Sequence, residues 1–124
     1  MNGKKALIDS NIIIYLSKQD LPLNFFDALD DLYISIITYM EILGYAFESL
    51  NEEKYIRELL GIFGVIYIDQ EIADTTINIR KKSKIKLPDA IIAATAISEG
   101  LDLVTRNVED FKNIDVKLIN PFQK

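Results

Sequence analysis

The chain has 124 residues, of which 49% are hydrophobic and 27% charged, a composition typical of one globular domain with a sizeable core. It contains no Cys and no His, which excludes disulfides, zinc-thiolate sites and Ser-His or Cys-His catalysis. The net charge of −5 argues against a uniformly basic nucleic-acid-binding surface but is compatible with a local basic patch.

Apolar runs and amphipathic segments alternate through the first half of the chain. The patterns predict a strand at 4–8, a helix at 10–17, a helix starting at Pro22 and a strand at 32–35. Thr38 is a good N-cap for a helix that reaches about Glu48. Asn51 can cap the next helix, which Gly61 and Gly64 end.

The second half continues the alternation. It predicts a strand at 65–68, a helix capped by Asp69, a buried helix from Pro88 to Gly100, a strand at 101–105, a helical turn at 108–111 and a strand at 116–119. Strands separated by helices indicate right-handed crossovers and a mainly parallel sheet. We therefore expect one three-layer α/β/α domain over residues 1–124, with ligands bound at the carboxyl ends of the strands.

Membrane and export signals are not expected. No apolar run approaches the roughly 18 residues of a transmembrane helix. The N-terminus reaches Asp9 too soon for a signal peptide, so we expect a cytoplasmic protein.

Three acids lie at predicted strand-to-helix junctions: Asp9, Glu41 and Asp89. Each has a structural explanation, because Asp9 suits a helix N-cap and Asp89 suits the positive end of a helix dipole. Thr38 and Glu41 match the capping box T-x-x-E. All three helix starts nevertheless lie on the same edge of the predicted sheet, where their carboxylates could converge.

Convergent carboxylates need a cation or a proton. Two of them about 4 Å apart repel by roughly 4 kcal/mol at an effective dielectric constant near 20. Oxygen ligands without His or Cys favour Mg²⁺ or Mn²⁺ over zinc. Such a site is typical of enzymes that hydrolyse phosphodiesters.

The residues around these acids resemble those of PIN-domain ribonucleases, most of all the VapC-type toxins of toxin–antitoxin pairs. Four segments carry the resemblance, and they are Leu7-Ile8-Asp9-Ser10-Asn11, Ser-Ile-Ile-Thr-Tyr-Met-Glu at 35–41, Leu-Pro-Asp-Ala-Ile-Ile-Ala-Ala-Thr-Ala at 87–96 and Leu-Val-Thr-Arg-Asn-Val-Glu-Asp-Phe at 103–111. They occur in the family's order, and the resemblance extends over residues 7–121.

This resemblance implies a Mg²⁺- or Mn²⁺-dependent endoribonuclease, commonly dimeric, with an antitoxin partner. Asp9, Glu41 and Asp89 match the three acids of the family pattern. The fourth position is open, because many members have Asp where this sequence has Asn107, and Asp110 follows on the same face of a helical segment. Polar positions that line the family's site correspond to Asn11 and Thr105, although Asn11 is also a plausible helix cap.

A basic run precedes the third acid. Five of the 14 basic residues fall within seven positions: Arg80, Lys81, Lys82, Lys84 and Lys86. They suit a solvated helix C-terminus, and they also suit contacts to RNA phosphates, for which Arg80, Lys82 and Lys84 are the candidates. Arg106 is a further candidate for a phosphate contact.

The region around Tyr39, Met40, Tyr45 and Phe47 carries more apolar side chains than one packed helix face needs. This excess predicts a surface for a homodimer or for an antitoxin segment.

Two other functions remain open. A phosphoacceptor receiver domain would use Asp69, but the first strand ends in one acid rather than two, and Asn120-Pro121 stands where Lys-Pro is expected. The second alternative is a catalytically inactive PIN-like domain that only binds a partner. The presence of Asp9, Glu41 and Asp89 argues against it.

Overall fold

The computed structural model describes residues 4–21 and 23–122. Its elements are β1 (Lys5–Ile8), α1 (Ser10–Ser17), β2 (Asp31–Ser35), α2 (Ile36–Leu43), α3 (Leu50–Leu60), β3 (Gly64–Ile66), α4 (Gln70–Lys82), α5 (Leu87–Glu99), β4 (Asp102–Val104) and β5 (Leu118–Ile119). Two 3₁₀ segments, Leu23–Ala28 and Val108–Phe111, complete the secondary structure of these residues.

The strands form one parallel sheet in the order β3-β2-β1-β4-β5. β1 pairs with β2 on one side, with Leu7 opposite Tyr33, and with β4 on the other, with Ile8 opposite Val104. The direction of the crossovers therefore reverses between β1 and β4. This reversal is the switch point at which open α/β sheets bind their ligands.

Helices cover both faces of the sheet. Along β1, Ala6 and Ile8 face one layer and Leu7 faces the other, and all three are fully buried. The first layer packs residues of α1 and α3 on the sheet, including Ile12, Ile13, Leu16, Ile56, Leu59 and Leu60. The second contains α5, with Ile92, Ala93 and Ala96 against the sheet, together with Phe111. The predicted three-layer α/β/α architecture is confirmed.

Helix ends account for most differences from prediction. Ser49, not Asn51, caps α3, because its hydroxyl accepts the Glu52 N–H at 3.1 Å. Gly64 does not help to end α3 but begins β3, where an added Cβ would lie 2.9 Å from the Tyr33 ring. Gly100 does follow α5 in the left-handed region, at φ 68°, as predicted.

The remaining differences are shorter or tighter elements. α2 ends at Leu43, well before the predicted Glu48. β3 spans 64–66 rather than 65–68. The segment after Pro22 forms a 3₁₀ helix instead of an α-helix, and Pro22 itself lies outside the described residues.

The receiver-domain alternative can be examined from the fold. The sheet order differs from the flavodoxin-like order of receiver domains, and the Asp69 carboxylate accepts the Ile72 N–H at 2.8 Å as the N-cap of α4. The receiver interpretation is therefore excluded.

No helix in the described part of the chain is long and apolar enough to cross a membrane.

Candidate functional site

Asp9 lies at the switch point, directly after β1, and only 4% of the residue is exposed. Its Oδ1 accepts a hydrogen bond from the backbone N–H of Ser10 at 2.7 Å. Its Oδ2 accepts one from the Thr105 hydroxyl at 2.8 Å and one from the Asn11 amide at 3.1 Å. Thr105 follows the neighbouring strand β4 and is fully buried, so groups from two elements fix the orientation of this carboxylate. Asp9 is the N-cap of α1, as predicted, but capping uses only one of its oxygens.

The protonation of Asp9 reflects this environment. Burial is the main reason that its pKa rises from the ordinary 3.8 to about 6. Hydrogen bonds from Thr105 and Ser10 lower the pKa, whereas the charges of Asp89 and Glu41 raise it. At neutral pH an ionised carboxylate therefore occupies a place that disfavours its charge, and a cation beside it would be stabilising.

Glu41 reaches the same edge from the second turn of α2. This helix starts earlier than predicted, because the Ser35 hydroxyl accepts the Ile37 N–H at 3.1 Å and caps it. The predictions that Thr38 caps the helix and forms a capping box with Glu41 are therefore wrong. The structural explanation for Glu41 is removed with them.

Glu41 is held instead by a contact between helices. The Ser10 hydroxyl donates to Glu41 Oε1 at 2.9 Å and lies 3.0 Å from the hydroxyl of Thr38, which is fully buried. Ser10 immediately follows Asp9. One short segment at the start of α1 therefore contacts two of the three candidate acids.

Asp89 lies in the first turn of α5, whose N-cap, Lys86, makes no side-chain capping bond. Burial raises the pKa of Asp89 above its ordinary 3.8, the charges of Asp110 and Glu41 raise it further, and the charge of Lys86 lowers it. The shifts at Asp9 and Asp89 together link all four candidate acids electrostatically.

Both candidates for the fourth position, Asn107 and Asp110, lie in the loop after β4. The Asn107 N–H donates to the Thr105 hydroxyl at 3.0 Å, and the Asp110 N–H donates to the Asn107 carbonyl at 3.1 Å. Asp110 is exposed within the 3₁₀ turn Val108–Phe111, and its charge acts on Asp89. The choice between Asp110 and Asn107 for the fourth position stays a prediction.

The four candidate acids are not arranged as a preformed metal-binding site. Within residues 4–21 and 23–122, no three acidic side chains stand close enough together to hold one metal ion. Glu41 and Asp110 are both exposed, whereas Asp9 is buried and fixed by its hydrogen bonds. The carboxyl-end edge of the sheet thus combines the fixed carboxylate of Asp9 with the more accessible carboxylates of Glu41 and Asp110. All candidate ligand atoms at this edge are oxygens.

A cleft of about 650 Å³ opens beside Asp89 and Asp110. Four lysines line it, namely Lys82, Lys84, Lys86 and Lys112. Of the other predicted phosphate contacts, Arg80 lines an adjacent cavity and directs its Nε to the Ile85 carbonyl at 3.4 Å. Arg80, Lys81 and Lys82 also end α4, so the helix-dipole explanation of the basic run applies to them.

Arg106 is directed elsewhere. Its Nη1 donates to the Tyr15 hydroxyl at 2.8 Å, and its guanidinium carbon lies 4.4 Å from the centre of the Phe122 ring. Its proposed contact with phosphate stays a prediction.

Two residues of the site were not singled out from the sequence. Ser10 had a usable signal, because it stands between Asp9 and Asn11 at the start of a predicted helix. Lys112 directly follows the 103–111 segment, but nothing in the sequence indicates that it lines the same cleft as Lys82, Lys84 and Lys86.

An apolar groove of about 370 Å³ lies between α1, α2 and α3, next to Glu41. Its apolar lining consists of Ile13, Ile14, Ile42, Tyr45, Phe47, Tyr55 and Ile56. Of the residues predicted to form a partner surface, Met40 and Tyr45 are 51% and 69% exposed, whereas Tyr39 and Phe47 pack partly against the core.

Comparison with known proteins agrees with this architecture. The PIN domain family matches residues 6–117. A protein described as Ribonuclease VapC1 from Rickettsia felis is 34% identical to this chain, and the match covers 87% of this chain and 89% of the relative. A second Ribonuclease VapC1, from Haemophilus influenzae, is 36% identical over 87% of this chain and 90% of its own length. A solved toxin–antitoxin complex from Klebsiella pneumoniae contains a chain with 36% identity and a TM-score of 0.78, covering 96% of this chain and 99% of that one. The chain therefore belongs to the PIN-domain family.

Proposed function

We propose that this protein is a divalent-metal-dependent endoribonuclease that hydrolyses RNA phosphodiester bonds, and that it is the toxin of a toxin–antitoxin pair. The observation that carries the proposal is the buried Asp9 carboxylate, which is held at the switch point of the sheet and faces the charges of Asp89 and Glu41. The relatives described as ribonucleases supply the reaction class.

The metal ion is proposed to be Mg²⁺ or Mn²⁺. Asp9 and Asp89 would hold it, with Glu41 and Asp110 turning towards it and Asn107 as an alternative ligand. Mg²⁺ is usually bound by one or two carboxylates and keeps several waters, so a site without a preformed group of three acids suits its chemistry. The oxygen-only donor set also fits Mn²⁺.

Bound there, a divalent ion would supply a nucleophilic hydroxide at neutral pH and neutralise charge on the phosphodiester. The protein's own groups perform the positioning. Thr105 and Asn11 hold the Asp9 carboxylate in one orientation, and Ser10 steadies Glu41. Groups that orient metal ligands in this way commonly change metal affinity by about 10–100-fold when removed.

The lysine-lined cleft is the proposed path of the RNA backbone. Lys82 ends α4, and Lys84 and Lys86 lie in the connection to α5, so three lysines line the cleft that also contains Asp89 and Asp110. The fourth, Lys112, pairs with Glu109 of the same lining at 3.0 Å. Lysines act as point charges for phosphate, and their contacts carry no sequence information. The cleft therefore accounts for how a chain of net charge −5 can bind RNA.

The partners proposed from the sequence are an antitoxin protein and a second copy of the chain. The relative from Klebsiella pneumoniae is described as part of a toxin–antitoxin complex, which favours the antitoxin. Exposed Met40 and Tyr45 offer apolar surface for such a contact. Cytoplasmic location and homodimer formation stay predictions.

A catalytically inactive partner-binding domain is the second candidate, and the apolar groove beside Glu41 favours it, because such a domain would need only a docking surface. RNA cleavage by the purified protein distinguishes the two. We expect cleavage with Mn²⁺ or Mg²⁺, none in EDTA, and a loss of at least about 100-fold in Asp89→Asn with the fold retained. Asp115→Asn, an exposed acid outside the cluster, is the matched control and should cleave as the wild type does. Cleavage that survives both EDTA and Asp89→Asn would refute the proposal.

A further inference from the structure

The Arg106 guanidinium contacts two aromatic rings that also contact each other. Its guanidinium carbon is 5.0 Å from the centre of the Tyr15 ring and 4.4 Å from that of Phe122, and Nη1 donates to the Tyr15 hydroxyl at 2.8 Å. The two rings meet each other edge to face with centres 4.8 Å apart. Cation–π attraction and the hydrogen bond together favour one position for this side chain.

The backbone of Arg106 is attached to the same helix. Its N–H donates to Asn11 Oδ1 at 3.3 Å. Asn11 and Tyr15 are four residues apart in α1 and therefore lie on the same face, one turn apart. Arg106 thus contacts two successive turns of α1, one through its backbone and one through its side chain.

The C-terminal segment completes this arrangement. The Phe122 N–H donates to Asn120 Oδ1 at 2.9 Å, which turns the chain after β5. Phe122 and Tyr15 both pack, partly buried, against the main core. The Thr105 N–H is tied to the Ile119 carbonyl at 2.9 Å, so the loop after β4 is bound to β5 as well.

This loop and this face of α1 provide both side-chain donors to Asp9. Thr105, which precedes Arg106, and Asn11, which accepts from the Arg106 N–H, each donate to Asp9 Oδ2. We propose that Arg106 is a positioning residue, clamped by Tyr15 and Phe122, that keeps the Thr105 hydroxyl and the Asn11 amide on Asp9. The C-terminal segment thereby supports the proposed metal site without touching it. The inference rests on the proposed function only for its metal-binding readout.

Phe122→Ala is the decisive variant, because Phe122 contacts Arg106 and Tyr15 but is not among the residues proposed to bind metal or RNA. We expect Phe122→Ala and Arg106→Ala each to weaken Mn²⁺ binding, measured by isothermal titration calorimetry, by about tenfold. Amide hydrogen exchange at residues 105–107 should quicken by about tenfold in both. The double variant should be no worse than either single one, since both break the same clamp. Tyr15→Phe keeps both rings and loses only the hydroxyl bond, so it should shift both readouts in the same direction by less.

Two further variants distinguish the positioning role of Arg106 from a direct contact with RNA phosphate and from a general effect of removing an aromatic ring. Tyr67→Ala removes a 69% exposed ring that belongs neither to the Arg106 clamp nor to the proposed metal site and should leave both readouts unchanged. Arg106→Lys keeps the charge but lacks the planar fork, so it should behave like Arg106→Ala. If Arg106 contacts phosphate instead, Lys should restore RNA binding while Mn²⁺ binding and exchange stay at wild-type values, which would overturn the proposal.

Wild-type exchange at 105–107 in Phe122→Ala would also overturn it. If the wild type binds no Mn²⁺, the proposed function fails, and the exchange rates still decide whether the clamp exists.

Discussion

The substitution Asp9→Asn removes a buried negative charge that lowers the free energy of unfolding. The pKa of Asp9 is about 6 in the folded protein because the carboxyl is buried, against an ordinary value of 3.8. At about 1.4 kcal/mol for each pKa unit, ionised Asp9 destabilises the fold by about 3 kcal/mol relative to protonated Asp9. That cost should vanish in Asp9→Asn, which has no carboxyl to ionise.

The pH dependence of unfolding isolates this effect. Because the folded-state pKa is raised, the stabilising contribution of protonated Asp9 is complete below about pH 4 and is lost as the pH rises through about 6. Between about pH 5 and pH 7 the loss amounts to roughly 1.3 kcal/mol. The stability of Asp9→Asn minus that of the wild type should therefore increase by this amount over that interval.

Urea unfolding followed by circular dichroism, in metal-free buffer with EDTA, measures this difference. The exposed Asp115→Asn serves as the control, and its difference from the wild type should stay constant across the interval. A difference for Asp9→Asn that is equal at both pH values, or that falls as pH rises, would show that Asp9 is not a carboxylate kept ionised against its surroundings.

The proposed metal ligand Asp89, the cleft lysines and the Ser10–Glu41 contact can each be tested separately. Mn²⁺ at about 100 times its dissociation constant should stabilise the wild type by about 2.7 kcal/mol in thermal melts, and an equal gain in Asp89→Asn would contradict the assignment of that ligand. Replacing Lys82 and Lys84 together by Gln should reduce the slope of log binding constant against log salt by about 1.4 for single-stranded RNA. Exposed lysines outside the cleft serve as controls. An unchanged slope would mean that Lys82 and Lys84 only stabilise the C-terminal end of α4. Ser10→Ala frees Glu41 and should lower kcat, and because it also removes the Ser10 partner of the fully buried Thr38 hydroxyl, it should cost about 1–3 kcal/mol of stability. An unaltered single-turnover cleavage rate would exclude a role for the bond to Glu41.

The strand-end acids could be located from the sequence because chain order and topology carry the information. Asp9 follows a short apolar run, and Asp89 follows Pro88 at a helix start, so both positions rest on local patterns. A parallel sheet then places the carboxyl ends of its strands along one edge. Neither step requires knowledge of side-chain contacts.

The start of α2 could not be fixed in the same way. Ser35 and Thr38 are both good N-cap residues, and the two isoleucines between them fit either a strand or a helix. Burial of Thr38 beside Ser10 decides in favour of Ser35, and that contact joins residues 28 positions apart. The approach of Lys112 to the cleft and of Phe122 to Arg106 depends likewise on tertiary packing.

The proposed metal site can be tested most directly by anomalous diffraction from crystals grown with Mn²⁺. We predict one or two strong peaks within about 2.2 Å of carboxylate oxygens of Asp9 and Asp89, with Glu41 or Asp110 turned towards them. An anomalous map with Mn²⁺ bound only at other acids, or with no peak at this edge of the sheet under saturating Mn²⁺, would contradict the proposed nuclease site.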